Sequence, residues 1–224
     1  MRDMLLHLCL RLCIQSLKMK MHQFDPDKTP AADVYKLLIG TIIPRPIAFV
    51  SSIDVHGVHN LAPFSFFTAC SANPPVLGFV AAMRPGPLPH KDTLQNVLAT
   101  KEFVVNLVSE EFAEKMNATS AEVPPEIDEF ELSGLTPLVS ELVKPPRVAE
   151  SHVQMECRLR QVLKISDLPG GGNLVLGDVL RFHIDEAIVD SSFRIDPDKL
   201  NAIGRAGGAT YVRTHDRFDM VRPK

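Results

Sequence analysis

The chain has 224 residues, 45% of them hydrophobic and 23% charged, with a formal net charge of −3. That profile fits an ordinary globular protein and excludes the strong basic field that marks nucleic-acid binding. β-barrels often run to about 200–250 residues as one unit, so a single main domain over residues 21–224 is expected. Eighteen prolines and twelve glycines are scattered along the chain, which suits short strands and shaped loops better than a helical bundle. Trp is absent, so an aromatic wall for a ligand has to come from Phe, Tyr or His. Cys9, Cys13, Cys70 and Cys157 form no C-x-x-C pair. A reduced, cytoplasmic setting is therefore expected, with neither a disulfide framework nor a metal site.

In chain order, residues 1–20 come first as an extension outside the fold. Their apolar middle suggests a signal peptide, but His7 and Arg11 interrupt it and no small-residue cleavage site follows. The stretch is too short and too charged to span a bilayer. A natural start at Met19 or Met21 accounts for it best. From 42 to 53 the chain is β-rich, with Pro44 and Pro46 confining the start to an edge or bulge. Asp54 to Gly57 reads as a turn and 58–67 as the returning strand of a hairpin. Residues 76–82 read as a buried strand. A short helix follows, capped by Asp92 or Thr93 and turning Leu94, Val97 and Leu98 inward. Another strand covers 102–108, and Ser109 begins a second helix with Glu110 and Glu111 in its first turn. Residues 119–148, rich in Pro, Glu and Ser, read as a surface excursion. A long strand over 151–165, a turn at 170–173 and a return strand over 174–189 make a second hairpin. Strands outnumber helices and are mostly hairpin-linked, so the fold class is mainly β, a closed antiparallel barrel with a few peripheral helices.

Two stretches carry candidate chemistry. The first is Asn60 to Pro75, where Ser65, Thr68 and Ser71 lie among Phe64, Phe66 and Phe67. Such a strand can offer hydroxyls and N–H groups to a planar, heteroatom-rich ligand, with Phe rings covering its apolar part. An edge strand with its polar residues in water explains the same residues. The second is Arg84 with His90, Lys91, Asp92 and Thr93 at a helix start. Free N–H groups and a partial positive charge make that a seat for phosphate. An ordinary cap with a solvated lysine is the plainer alternative. His56 and His59 read as turn histidines rather than metal ligands. The glycines at 204, 207 and 208 read as turn formers that could also approach a ligand closely. No G-x-G-x-x-G follows a strand, and no P-loop, nucleophile elbow or H-E-x-x-H motif is present.

PRPIAFVSSID, NLAPFSFFTACSANPPVLGF, KDTLQNV, EFVVNLV, GDVLRFHIDEAIV and LNAIGRAGGATYVR together resemble the flavin-reductase-like family, over roughly Tyr35 to Arg213. The resemblance implies an antiparallel, Greek-key-like split β-barrel holding FMN non-covalently at the interface of a homodimer. It implies that Arg45 lines the flavin site, that Ser65, Phe66, Phe67 and Thr68 contact the ring and ribityl parts, and that Ser71, Lys91, Asp92 and Thr93 serve the ribityl chain and phosphate. Arg205 and Tyr211 would reach in from the tail. It also implies NAD(P)H as co-substrate, hydride transfer through flavin N5, and a small-molecule or protein electron acceptor. No side chain is then a required acid or base; Ser65 or Thr68 would tune N5. The alternative is a non-catalytic FMN electron carrier without its own NAD(P)H site, followed by a split barrel for another cofactor or a purely structural domain.

Overall fold

The structure, a computed structural model, describes residues 19–84 and 90–223. The expectations for residues 1–18, Cys9 and Cys13 included, lie outside the described residues. Two compact units divide the chain, Met1–Val34 and Tyr35–Lys224. In the first, Asp25 organises a turn: its carboxylate accepts the Asp27 N–H at 3.1 Å and its carbonyl accepts the Lys28 N–H at 3.0 Å. Helix α1 (Ala31–Thr41) spans that boundary and buries none of its residues.

In the second unit, β1 (Ala48–Ile53), β2 (His59–Phe64), β3 (Phe67–Ala72), β4 (Pro75–Ala82), β5 (Glu102–Leu107), β8 (Val153–Lys164) and β9 (Gly172–Ile184) form one antiparallel sheet. Its order is β2-β1-β5-β8-β9-β4-β3. The two short strands β6 (Pro137–Leu138) and β7 (Arg147–Val148) pair separately. The two edges of the large sheet, β2 and β3, are consecutive in sequence and separated only by Ser65 and Phe66. Laid flat, seven strands would put those edges about 29 Å apart, whereas the three steps from Phe64 to Phe67 reach about 10 Å. The sheet therefore has to curl until its edges meet. Phe64 and Phe79 touch across the seam with ring centroids 4.9 Å apart, and the Val80 N–H donates to the Phe66 carbonyl at 2.9 Å. The expected single strand over 58–67 is thus broken into an edge, a corner and a second edge.

The hairpin turn follows its chemistry. Asp54 accepts the N–H groups of His56 and Val58, both at 2.8 Å, and Gly57 adopts φ +95°. Alternation then gives β1 two buried faces. Ala48 and Val50 enter the barrel interior with Phe79, Phe103, Val105, Met155, Cys157 and Val175, while Ile47 and Phe49 join an outer core. Phe112, Met116, Phe130, Leu135 and Val148 complete that outer core. Residues 119–148 are therefore more than the expected surface excursion. Their helix α4 (Glu129–Ser133) and the strands that follow seal the outside of β1 and β2, after the short α3 (Ala113–Ala118).

A fully buried carboxylate clips part of this cover to the barrel. Glu156 accepts the N–H groups of Glu141, Leu142 and Val143 at 3.0, 2.6 and 3.1 Å, and meets His183 Nε2 at 2.6 Å. Burial alone would raise its pKa, but the Glu141, Leu142 and His183 hydrogen bonds outweigh burial and hold it below the usual carboxylate range. A depressed folded-state pKa gives stability that is present at neutral pH and lost as pH falls through that lowered value. Replacing Glu156 with Gln should therefore lower the denaturation midpoint at pH 7 and flatten its decline in acid; an unchanged acid profile would show that other carboxylates govern it. Close packing sets a second test. A Cβ on Gly177 would lie 2.3 Å from Cζ of the fully buried Phe103. Gly177→Ala should cost about 2 kcal/mol in urea unfolding.

Candidate functional site

Arg45 is buried at the barrel corner, and no carboxylate among the described residues pairs with it. Its guanidinium donates to the carbonyls of Ile39, Ile42 and Ala206 at 2.6, 2.8 and 2.9 Å, and Nε donates to Ser65 Oγ at 3.3 Å. Its Cζ sits 5.9 Å from the Phe66 ring, which tilts against Tyr35. Burial, then Arg205 nearby, lowers its pKa, partly offset by Tyr35. Arg45 thus ties two segments, the stretch before β1 and the tail, to the turn that closes the barrel. Ser65 receives that bond, and Phe67 packs on the interior core. Thr68 and Ser71 lie exposed on β3, and the Thr68 hydroxyl donates to the Ala69 carbonyl at 3.2 Å.

The tail reaches the same corner. β10 (Ile203–Arg205) pairs with β11 (Tyr211–Arg213), and Arg45 and Arg205 exchange backbone hydrogen bonds at 2.9 and 2.8 Å. Gly204 permits this: a Cβ there would lie 3.0 Å from Pro44 Cβ and 3.3 Å from the Arg45 carbonyl oxygen. The Arg205 guanidinium lies 4.4 Å from the Tyr211 ring centroid, and the Tyr211 hydroxyl donates to Asn117 at 3.0 Å.

A second group lines a pocket of about 80 Å³ at the start of helix α2 (Asp92–Thr100). Ala62, Pro63 and Phe64 form one wall and lead directly into Ser65 and Phe66 at the corner. Arg84 and Lys91 supply cations. Asp92 pairs with Arg84 at 2.9 Å; Arg84 Nε and His90 Nδ1 are buried without a partner among the described residues. Burial, then the Arg84 charge, lowers the Lys91 pKa. Lys91 itself occupies the cap position, and no side chain caps the helix. The first N–H groups of a helix have no intrahelical partner, and Asp92 and Thr93, the first two residues of α2, both line the pocket.

The expected cap by Asp92 or Thr93 is not formed because both side chains are engaged elsewhere. Thr93 is buried, and its hydroxyl donates to Asn60 Oδ1 at 2.5 Å. The inner face of α2 is correspondingly Thr93, Leu94, Asn96 and Val97, with Leu98 exposed. Sequence reasoning missed Asn60 and Glu129 as pocket residues. Glu129 is buried and accepts Asn60 Nδ2 at 2.8 Å and the Leu61 N–H at 3.0 Å; burial raises its pKa against those bonds. The only signal was a carboxylate beside Phe130 in an acidic stretch, which solvent exposure explains equally well. His59, expected in the turn, begins β2 and pairs with Asp128 at 3.0 Å.

Residues 39–200 match the family model for the flavin reductase like domain. The chain belongs to the flavin-reductase-like family. Its curled antiparallel sheet is the split barrel of that family. An Aquifex aeolicus protein is 42% identical over 191 residues, covering 85% of this chain and 95% of its own. Nitrilotriacetate monooxygenase component B from Bacillus cereus is 36% identical with a TM-score of 0.86, covering 91% of this chain and 100% of that one. The 2-nitrobenzoate 2-nitroreductase NbaA from Pseudomonas fluorescens is 30% identical with a TM-score of 0.81, covering 90% and 96%.

Arg45 gives this corner a test. Arg45→Met removes the donors to three carbonyls and should cost about 3 kcal/mol, at about 1 kcal/mol per lost bond. Hydrogen exchange should quicken at 203–206 before the rest of the sheet; uniform change would mean that the tail is held by other contacts.

Proposed function

We propose that this flavin-reductase-like protein binds FMN non-covalently and acts as an NAD(P)H-dependent flavin oxidoreductase. The carrying observation is the pocket at the start of α2, where two cations, one with a buried Nε that has no partner among the described residues, meet the start of a helix that no side chain caps. That donor set fits a phosphate. Lys91 Nζ and Arg84 would take phosphate oxygens, with the Asp92 and Thr93 N–H groups beside them. The wall from Ala62 to Phe66 leads away from this pocket towards Phe66 and β3, a path suited to a ribityl chain and then a flat ring. Ser65, Thr68 and Ser71 would meet the polar atoms along it. Arg205 and Tyr211 would border the ring from the tail.

Bound flavin supplies hydride exchange between a nicotinamide and a small-molecule or protein acceptor. The protein's share is orientation and exclusion of water, and hydride transfer needs no acid or base among its side chains. A homodimer is part of this reading. Residues 68–72 of β3 are exposed along one sheet edge, and Ile42, Ile43 and Leu38 are exposed near the corner. An open edge with apolar neighbours is normally covered. A second copy would supply that cover and deepen the ring site. Cys70, on the same strand, is exposed, whereas burial pushes the Cys157 thiol far up. Among the described residues no helix is long and apolar enough to cross a membrane.

The test is spectroscopic. FMN added to purified protein should acquire a shifted visible spectrum that bleaches with NADH or NADPH without oxygen. Bleaching by dithionite alone would favour the electron-carrier alternative. Lys91→Ala should weaken FMN about tenfold, as expected for loss of one charge-assisted bond, while sparing riboflavin. Because the Lys91 pKa is lowered, wild-type FMN affinity should fall as pH rises through that value, and the variant should lack this step.

A further inference from the structure

The buried polar groups beside the pocket form a chain whose hydrogen-bond directions follow from Glu129 as a carboxylate. The Leu61 N–H can only donate, so Glu129 Oε2 accepts it at 3.0 Å. Glu129 Oε1 then takes Asn60 Nδ2 at 2.8 Å, which turns Asn60 Oδ1 the other way. Oδ1 receives the Thr93 hydroxyl at 2.5 Å and the Ser52 hydroxyl at 3.2 Å. Ser52 Oγ in turn accepts Asn96 Nδ2 at 3.2 Å. All five side chains are buried, and Asn60, Thr93 and Glu129 line the pocket. The Thr93 hydroxyl has one proton, and Asn60 holds it.

We propose that Glu129, acting through Asn60, is a positioning residue that withholds the Thr93 hydroxyl proton from the pocket and so moderates its affinity for phosphate. This inference rests on the FMN reading above. Thr93 then serves a phosphate through its backbone N–H alone, and its hydroxyl presents lone pairs, which repel an anion. The charges point the same way. Arg84 and Lys91 are opposed by Asp92, which pairs with Arg84 and also bears on Glu129. A dianion therefore meets a pocket in which one of the two cations is already paired.

The chain of bonds predicts its own inversion in the Glu129→Gln variant. The new side-chain amide would offer its oxygen to the Leu61 N–H and its N–H₂ to Asn60. Asn60 would then present Oδ1 to that amide and Nδ2 to Thr93, freeing the Thr93 hydroxyl to donate into the pocket. The measurement is the ratio of riboflavin to FMN dissociation constants by fluorescence titration, with folding checked by circular dichroism. Glu129→Gln should raise that preference for FMN about fivefold, the effect of one gained hydrogen bond. In a Thr93→Val background the same substitution should produce a markedly smaller gain. The exchanged pair Asn60→Asp with Glu129→Gln returns an oxygen to Thr93 and should restore the wild-type ratio.

An unchanged or lowered ratio in Glu129→Gln overturns the proposal and leaves Glu129 a structural group. If that variant does not fold, Thr93→Val decides alone. It should reduce the FMN preference far less than Lys91→Ala; an equal loss would mean that the hydroxyl donates to phosphate. Wild-type protein binding neither flavin would instead remove the FMN reading on which the inference stands.

Discussion

Two residues join the opposite edges of a seven-stranded sheet, and the rest of the second unit follows from that short link. Ser65 and Phe66 cannot bridge a flat sheet, so the sheet curls, its interior fills with Phe64, Phe79 and Phe103, and a corner forms where the edges meet. Arg45 makes the corner rigid by binding carbonyls from the segment before β1 and from the tail while touching Ser65 and Phe66. A guanidinium suits this role because its donors are planar, numerous and permanently charged. The pocket wall from Ala62 to Phe64 is the stretch of β2 that runs into that corner, so barrel closure and site placement are one event.

At the other end of the wall the protein balances two demands. Helix α2 must pack on the barrel, and under the proposed function its start must stay available to an anion. Leu94 and Val97 meet the first demand. Thr93 and Asn96 lie on the same face but bind Asn60 and Ser52, so half of the packed face is polar and hydrogen-bonded. Such a network holds the helix in one rotation, because any slip would strand buried polar atoms. Glu129 brings the 119–148 segment into the same network, which explains why an outer cover helix bears on the chemistry of an inner pocket.

Much of the fold was legible locally. The Asp54 to Gly57 turn, the long β8–β9 hairpin and helix α2 announce themselves through turn residues and periodicity, and the structure keeps them with shifts at their ends. The break at Ser65 and Phe66 was not legible, since neither residue is a strand breaker and the bend comes from edge closure. The long hairpin hides its irregularity too. Bulges at Glu156/Cys157 and Leu159/Gln161 shift the alternation, so Leu159 and Val162 both pack on the interior core. The acidic composition of 119–148 suggested solvent, yet Phe130 and Leu135 are buried, because a β strand with two covered faces needs a second layer.

The candidate site divides along the same line. Sequence alone determined which residue types were available, namely the hydroxyl and Phe run after Asn60, the cations at 84 and 91, and a helix start between them. Those are local facts of composition and order. Only the tertiary structure decided what each group faces: Arg45 towards carbonyls, Arg84 towards Asp92, the Thr93 proton towards Asn60, and Glu129 into the pocket. Those partners lie on distant segments of the chain, and a side chain's hydrogen-bond direction is set by the nearest buried partner in space.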